Sequence, residues 1–206
     1  MKIICLFNYA SHYRKEIFLE IENALKCDFY FGNIDTDKIK KIDYTIFKNK
    51  VVELKTLKVY KNIVFYKQTF SFLFKNYDEI ILTGEYYNLS TWFILLRNAV
   101  SSKKTYLWSH GWYGNENFIK KVIKKVYFNL SDGIFLYGNY SKNLMINAGF
   151  NGAKLHVIFN SLDYTKQLEI RKELKDNSIF KNHFKNDNKT LIFVGRLTKV
   201  KKINIL

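Results

Sequence analysis

The chain has 206 residues, 48% of them hydrophobic, so it is long and apolar enough to bury a core, and an intrinsically disordered chain is excluded. Its net charge of +16 comes mostly from 30 lysines, and we attribute part of this lysine excess to coding bias. The two cysteines, Cys5 and Cys27, lie in or beside apolar runs without metal-ligand spacing, which favours buried free thiols over a disulfide.

The apolar runs of the chain are all short. The longest, at 3–7 and 92–96, cannot form a signal-peptide core or cross a bilayer, which takes about 20 residues. We therefore expect a cytoplasmic protein.

Strand and helix patterns alternate along most of the chain. Buried or apolar runs predict strands at 2–7, 28–31, 79–83, 105–109, 133–137 and 155–159. Helical spacing of apolar residues predicts helices at 13–25, 70–77, 89–99, 118–130 and 140–148. The Lys-rich stretch 34–67 contains strands that the pattern places only loosely. Repeated strand–helix units of this length predict an α/β fold, a Rossmann-like, doubly wound and mostly parallel sheet.

The pattern also predicts the domain organisation. Residues 1–162 form the first domain, and the polar, Lys-rich stretch 163–188 is a helical connector. A new buried strand at 190–194 then leads into a glycine and a basic loop, so 189–206 is interpreted as the start of a second, incomplete domain.

Three predicted strands end in a glycine, at Gly84, Gly111 and Gly138. In open parallel sheets the ligand crevice lies at the carboxyl ends of the strands, where glycine lets the backbone approach a ligand closely. Glycines that serve only as turn residues remain an equal alternative for each position.

The segment 108–114 contains one of the four histidines and two of the three tryptophans. His110 follows a predicted strand, where its imidazole could act as a base, as an orienting group or as a hydrogen-bond donor to a sugar hydroxyl. A structural histidine that caps a loop is the alternative.

The loop 8–14 after the first strand is the first ligand-facing turn of a doubly wound sheet. It lacks the spaced glycines of a dinucleotide fingerprint, so a nicotinamide or flavin cofactor is disfavoured. Tyr9, His12 and Arg14 are the candidate ligand-facing residues there, and a polar loop that only begins a helix is the alternative.

The predicted helix 118–130 is basic and amphipathic. An apolar stripe is formed by Ile119, Val122, Ile123, Val126 and Leu130, and beside it lie Lys120, Lys121, Lys124 and Lys125. Such a helix can lie on an anionic membrane surface. The alternative is a helix packed on the core through the apolar stripe, with its lysines in solvent.

A basic glycine turn follows the last predicted strand. Gly195, Arg196 and Lys201 lie on this turn, and a turn from a strand to a helix N-terminus can bind an anion. Arg and Lys there could clamp a diphosphate, and a solvated basic turn is the alternative.

Three motifs follow one another along the chain. They are Tyr137-Gly138-Asn139-Tyr140-Ser141-Lys142 with Ala148-Gly149-Phe150, then Lys154-Leu155-His156-Val157-Ile158-Phe159-Asn160-Ser161-Leu162-Asp163, and then Phe193-Val194-Gly195-Arg196-Leu197 with Lys201. Their order and spacing resemble those of the GT-B glycosyltransferases of family 4. That family typically shows a serine-containing helix start, a "K-hydrophobic-x-V-I-x-N-G-x-D" run and a "V-G-R-L-x-x-x-K-G" run. The resemblance covers essentially the whole chain and is strongest over 133–203.

The resemblance implies two Rossmann-like domains that face a cleft, with the acceptor on the N-terminal domain and the sugar nucleotide on the C-terminal one. It implies that Arg196 and Lys201 contact the donor diphosphate in place of a metal ion, so no metal or other cofactor is expected. His110 is similar to the family's active-site histidine, and the loop 8–14 with Gly111 would border the acceptor. The resemblance also implies a retaining transfer of a hexose to a glycan or lipid-linked acceptor. This reaction would belong to surface polysaccharide synthesis on the inner face of the plasma membrane.

The sequence departs from the family pattern at several positions. Phe159, Ser161 and Lys202 replace the usual proline and glycines, and the downstream pair of glutamates does not occur in these 206 residues. We therefore expect the chain alone to transfer no sugar.

Two other classes remain open. One is a non-catalytic basic α/β module that binds anionic membrane or nucleic acid, although only four arginines and no nucleic-acid motif make nucleic acid an unexpected partner. The other is an inert product of an enzyme gene.

Overall fold

The computed structural model describes residues 1–33, 39–160, 163–174, 178–186, 188–189, 191–195 and 197–205. These residues divide into two compact units, Met1–Tyr164 and Thr165–Leu206.

The first unit alternates strands and helices as the sequence predicts. Its strands are β1 (Ile3–Phe7), β2 (Asp28–Gly32), β3 (Val51–Leu54), β4 (Thr56–Tyr60), β5 (Ile63–Tyr66), β6 (Glu79–Thr83), β7 (Lys104–Ser109), β8 (Gly133–Leu136) and β9 (Leu155–Val157). Its helices are α1 (Lys15–Leu25), α2 (Thr69–Leu73), α3 (Leu89–Ala99), α4 (Phe118–Asn129) and α5 (Asn139–Asn147). The loosely predicted stretch 34–67 holds β3, β4 and β5, and its residues 34–38 lie outside the described part of the chain.

Seven strands form one sheet in the order β3-β2-β1-β6-β7-β8-β9, and every neighbouring pair is parallel. β4 and β5 form a separate antiparallel pair. The predicted Rossmann-like, mostly parallel α/β sheet is therefore confirmed.

The strand order reverses between β1 and β6. From β1 the chain moves outward through β2 to β3, and it then returns to place β6 on the other side of β1. Such a reversal leaves a crevice beyond the carboxyl ends of the two strands, because their connections leave toward opposite sides. Asn8 follows β1 and Glu85 follows Gly84 at the end of β6, so both residues lie at this switch point.

β1 is buried on both faces of the sheet, which explains its unbroken apolar run. Because successive side chains point to opposite faces, Ile4 and Leu6 join one core cluster while Ile3 and Phe7 join the other. Cys5 belongs to the second cluster, with its Sγ 3.5 Å from that of Cys27, and the two are buried free thiols, as predicted.

The predicted connector is helical where the structure describes it, with α6 (Tyr164–Glu173) and α7 (Ser178–Phe184). The predicted strand at 190–194 is wrong for its described part, since 191–194 contain no strand. A strand needs hydrogen bonds from a neighbouring strand, and no described residue pairs with this segment. Within the described ranges, no helix is both long enough and apolar enough to cross a membrane.

Candidate functional site

A cleft of about 240 Å³ lies in the first unit, at the carboxyl ends of β1, β6 and β7. Its wall is rich in aromatic side chains, namely Tyr9, Tyr13, Tyr86, Tyr87, Trp108, Tyr113 and Tyr137. The polar side chains on the wall include those of Asn8, Arg14, Glu85 and His110. Asn8 and Arg14 follow β1, Glu85 follows β6 and His110 follows β7, and parallel pairing brings these three strand ends to one edge of the sheet.

Asn8 and Glu85 join the two strands of the switch point. Asn8 Nδ2 donates to Glu85 Oε1 at 2.5 Å, and the backbone N–H of Asn8 donates to Thr83 Oγ1 at 3.0 Å. Glu85 Oε2 is buried without a hydrogen-bond partner among the described residues. Burial raises the pKa of the Glu85 carboxyl, and the nearby Tyr87 hydroxyl and the Asn8 amide only partly oppose this shift.

Sequence analysis missed Glu85, although a signal for it was present. It directly follows Gly84, and an acidic residue immediately beyond a buried parallel strand faces the edge where ligands bind. Gly84 itself makes room for protein rather than ligand, because a Cβ there would lie 2.7 Å from the Cβ of Ser109.

His110 is exposed on the cleft wall, with its ring centroid 4.4 Å from that of Tyr137. The pKa of His110 is lowered, mainly by partial loss of hydration and to a smaller extent by the Arg14 guanidinium. The imidazole is therefore neutral at pH 7 and offers one donor and one acceptor nitrogen, which suits hydrogen bonding to hydroxyl groups.

The backbone around His110 is held by a conformation that favours glycine. Gly111 has φ +68°, and a Cβ there would lie 2.5 Å from Ser141 Oγ and 2.7 Å from Leu136 Cδ2. Ser141 Oγ donates to the His110 carbonyl at 2.7 Å and accepts from the Trp112 N–H at 3.1 Å. Gly111 thus lines the cleft as predicted for the acceptor side, but its conformation and packing also fix the loop.

A buried ion pair anchors the same loop. Lys124 Nζ lies 2.6 Å from Glu116 Oε1 and donates to the Gly111 carbonyl at 2.7 Å. Glu116 also accepts hydrogen bonds from the backbone N–H groups of Tyr113 and Gly114. The prediction that Lys124 faces a membrane is therefore wrong, because its ammonium is drawn inward by a carboxylate and a carbonyl, and the residue is only 4% exposed.

Arg14 lies against two aromatic rings of the cleft. Its Nη2 donates to the Tyr137 hydroxyl at 2.8 Å, and its Cζ is 5.6 Å from the Trp108 ring centroid. No carboxylate of the described residues forms an ion pair with it. Its remaining N–H donors are thus not committed to an acidic partner in the described part of the chain.

The other two predicted residues of this loop differ in position. Tyr9 lines the cleft, and its hydroxyl donates to the Ile39 carbonyl at 2.7 Å. His12 is exposed and does not line the cleft, because its backbone N–H and its Nδ1 both contact the Lys40 carbonyl.

The predicted donor residues lie in the second unit. Gly195 is exposed, and Lys201 is exposed at the end of a short 3-10 helix, Lys199–Lys201. Arg196 lies outside the described residues. Their assignment to a diphosphate stays a prediction.

The outer face of α4 is apolar and exposed. Lys124, Tyr127 and Phe128 are the buried residues of this helix. The predicted apolar stripe does not pack on the core through most of its length, since Ile119, Val122, Ile123 and Val126 are all exposed, as is the neighbouring Phe118. Lys120, Lys121 and Lys125 are exposed beside this apolar face.

The described residues contain no group of three His, Cys, Asp or Glu side chains that could hold a metal ion. The polar groups of the cleft, which include a carboxylate, an amide, a guanidinium and an imidazole, can bind a ligand that has hydroxyl groups.

Comparisons with known proteins place the fold. No protein-family model matches the sequence, and no curated protein matches it. Among solved structures, HepE from Anabaena in complex with UDP superposes with a TM-score of 0.55 at 14% identity, over 88% of this chain and 48% of that chain. The UDP-GlcNAc 2-epimerase of Methanocaldococcus jannaschii gives 0.54 at 16% identity, over 89% and 53%. The UDP-GlcNAc 2-epimerase of Neisseria meningitidis bound to UDP-GlcNAc gives 0.53 at 14% identity, over 88% and 53%.

These likenesses show that the chain shares the GT-B fold and matches its N-terminal half. The chain spans about half of the length of the structures that it matches. The predicted resemblance is thus confirmed for the fold, whereas membership of family 4 stays a prediction.

Proposed function

We propose that this chain is the acceptor-binding half of a glycosyltransferase that uses a sugar nucleotide. The observation that carries the proposal is the cleft at the switch point, where tyrosines and Trp108 surround Asn8, Glu85 and His110. Aromatic faces with a few convergent polar groups suit a sugar, which has apolar C–H faces and a hydroxyl rim. The fold adds support, because HepE of the same fold has been solved with UDP, with UDP and glucose, and with UDP-glucose.

In this proposal each predicted residue has one role. His110 donates a hydrogen bond to the transferred sugar, and Tyr9, Arg14 and Gly111 border the acceptor. Arg196 and Lys201, with Gly195 at the turn, stabilise the diphosphate leaving group in place of a metal ion. The transfer is retaining, needs no cofactor and modifies a glycan or lipid-linked acceptor of a surface polysaccharide at the inner face of the plasma membrane.

The test is a transfer assay on the longest open reading frame that contains these 206 residues. Labelled UDP-glucose, UDP-galactose and UDP-GlcNAc are each offered with polysaccharide and lipid extracts of the source cells. We expect labelled glycan from one of them, and a loss of at least about tenfold in His110→Ala, since one lost hydrogen bond to the sugar is worth roughly 1.4 kcal/mol. His156→Ala, at an exposed histidine of β9, is the matched control and should keep the rate.

The absence of label transfer from every nucleotide sugar would contradict the proposal. The 206-residue chain by itself should transfer none, because it spans only about half of the length of the structures that it matches.

Epimerisation of a nucleotide sugar is the second candidate. It is favoured by the two UDP-GlcNAc 2-epimerase structures, which superpose as well as HepE does. The same assay distinguishes the two, because an epimerase converts UDP-GlcNAc to its C2 epimer without any acceptor.

We also propose that α4 docks on an anionic membrane. Its apolar arc, from Phe118 to Val126, is exposed, and Lys120, Lys121 and Lys125 stand at the edges of this arc. Each lysine near such a surface contributes about 1 kcal/mol, and the apolar side chains add to this by burial between lipid headgroups. Lys124 takes no part in this contact.

Vesicle binding tests the docking face. Binding to vesicles of phosphatidylcholine with phosphatidylglycerol should exceed binding to phosphatidylcholine alone, and Val122→Asp should weaken it about tenfold or more. Val59→Asp, at an equally exposed valine of β4, is the control. Equal binding to both vesicles, or no effect of Val122→Asp, would contradict docking through α4.

Binding to duplex or single-stranded nucleic acid with a steep salt dependence would instead favour the nucleic-acid module.

A further inference from the structure

Glu85 is a partly buried acidic group that the fold itself does not require. The ion pairs of the described residues do not include it, and one of its oxygens has no donor. Its one hydrogen bond of good geometry comes from Asn8, a side chain of the same cleft, and the Tyr87 hydroxyl is near enough to lower its pKa as well. A partly satisfied carboxylate in a low-dielectric site lowers the stability of the folded chain, so its presence needs a reason other than packing.

The place of Glu85 in the topology supplies such a reason. It follows β6 at the point where the strand order reverses, and Asn8 follows β1 on the other side of the same crevice. The Asn8–Glu85 hydrogen bond therefore spans the floor of the position where doubly wound sheets bind ligands. It fixes one carboxylate oxygen and leaves the other without a partner.

The neighbours of Glu85 define the chemistry that it would meet. Tyr86, Tyr87, Trp108 and Tyr113 line the same cleft. Burial, and then the charge of Glu85, raise the pKa of the Tyr87 hydroxyl well above its ordinary value, so this group stays a neutral phenol that can donate. Flat aromatic faces beside a hydrogen-bond acceptor fit the apolar face and the hydroxyl rim of a pyranose.

We propose that Glu85 is a specificity-determining residue of the acceptor site, whose carboxylate accepts hydrogen bonds from hydroxyl groups of a neutral pyranose stacked in the cleft. This inference rests on the proposed function, which it deepens by naming a neutral sugar as the chemical class at this position. The carboxylate selects hydroxyl-bearing ligands and disfavours anionic ones, because a second negative charge there would be repelled.

The experiment observes the indole N–H signals of the three tryptophans by nitrogen-15 NMR while methyl glycosides are added to the purified chain. The probes are the methyl α- and β-pyranosides of glucose, galactose, mannose and N-acetylglucosamine. Trp108 reports on the cleft that it lines, and Trp108→Phe assigns its signal. The matched variants are Glu85→Gln and Glu79→Gln, the second at the opposite end of β6 and outside the cleft.

At least one glycoside should shift the Trp108 signal to saturation in the wild type and in Glu79→Gln. Glu85→Gln should bind it about tenfold more weakly, since a hydrogen bond to a charged acceptor is lost, while its unfolding transition shows that the fold is intact. An unchanged affinity in Glu85→Gln, or the absence of a Trp108 shift with every glycoside, overturns the inference.

The outcome is separable from that of the transfer assay. If Glu85→Gln binds glycosides like the wild type while the longer reading frame transfers sugar, the inference fails and the proposed function stands. If glycoside binding depends on Glu85 but no sugar nucleotide is used, the proposed function fails and the sugar site stands.

Discussion

Two glutamates near the cleft, the buried Glu116 and the partly buried Glu85, have opposite surroundings. Glu116 accepts from Lys124 and from the backbone N–H groups of Tyr113 and Gly114, whereas Glu85 accepts one hydrogen bond from Asn8. Burial alone would raise the pKa of Glu116, but the hydrogen bond from Lys124 and those from the backbone lower it. For Glu85 burial prevails, and its pKa is raised.

Glu116 is a structural carboxylate, whereas Glu85 is the one that we propose to be functional. Glu116 has the partners that a buried charge requires, and these partners hold the loop that carries His110. Glu85 has a hydrogen bond of good geometry at only one oxygen, and the residue lines the cleft in which we propose that a ligand binds. Removal of the first should damage the fold, and removal of the second should damage only binding.

The largest effect is expected at the ion pair. Glu116→Gln leaves Lys124 buried without an anionic partner, so we expect a loss of about 3–5 kcal/mol in the free energy of unfolding, measured by urea denaturation. Glu53→Gln breaks the more exposed pair with Lys41 and should cost less than about 1 kcal/mol. A similar loss of unfolding free energy in the two variants would contradict the view that the Glu116–Lys124 pair anchors the loop more strongly than an ordinary surface ion pair.

Gly111 tests the same loop through its backbone. Gly111→Ala places a Cβ against Ser141 and Leu136 at a left-handed φ, so a loss of about 2–4 kcal/mol is expected by thermal unfolding. Gly138→Ala is the matched control, because nothing lies within 4 Å of its Cβ and its φ is extended. If Gly111→Ala were as stable as Gly138→Ala, the loop would be able to accommodate a Cβ at position 111 by a small change of conformation.

Of the three substitutions at Glu116, Gly111 and Glu85, Glu85→Gln has the smallest expected effect on stability. Unlike the other two, it is expected to stabilise the protein. The folded-state pKa of Glu85 is raised, so its contribution to stability is greatest when the carboxyl is protonated and falls as pH rises through that pKa. Glutamine carries no charge, and it should therefore raise the free energy of unfolding at pH 7–8 by about 1 kcal/mol, an advantage that disappears in acid. A destabilised Glu85→Gln at pH 7–8 would assign Glu85 to the structure instead.

The sequence was sufficient for the fold because its signals are local and strong. The unbroken apolar run of β1 and the helical spacing of α3 identify elements whose burial requires that pattern. The reversal of strand order between β1 and β6 depends on pairing between strands that are far apart in the chain. The sequence predicts where these strands end but not that they are neighbours. His110, Arg14 and Tyr9 were found because each follows or lies near a strand end, and they do line the cleft.

Other site features depend on packing that one sequence does not reveal. On α4 the apolar stripe is exposed, whereas Lys124 is buried, because the distant Glu116 and the Gly111 carbonyl satisfy its ammonium. Without these partners in view, a lysine on an amphipathic helix is assigned to solvent. For Glu85 the sequence signal is its position directly after Gly84, but its contact with Asn8, 77 positions away in the chain, is visible only in the structure.

The most direct test is to titrate the two carboxyl groups by carbon-13 NMR in the purified chain, with Glu85→Gln and Glu116→Gln used to assign the signals. We predict that Glu85 titrates above the ordinary pKa of a glutamate and Glu116 below it. A Glu85 carboxyl that titrates at or below the ordinary value would mean that its charge is already satisfied within the protein. It would contradict the claim that this residue awaits a ligand.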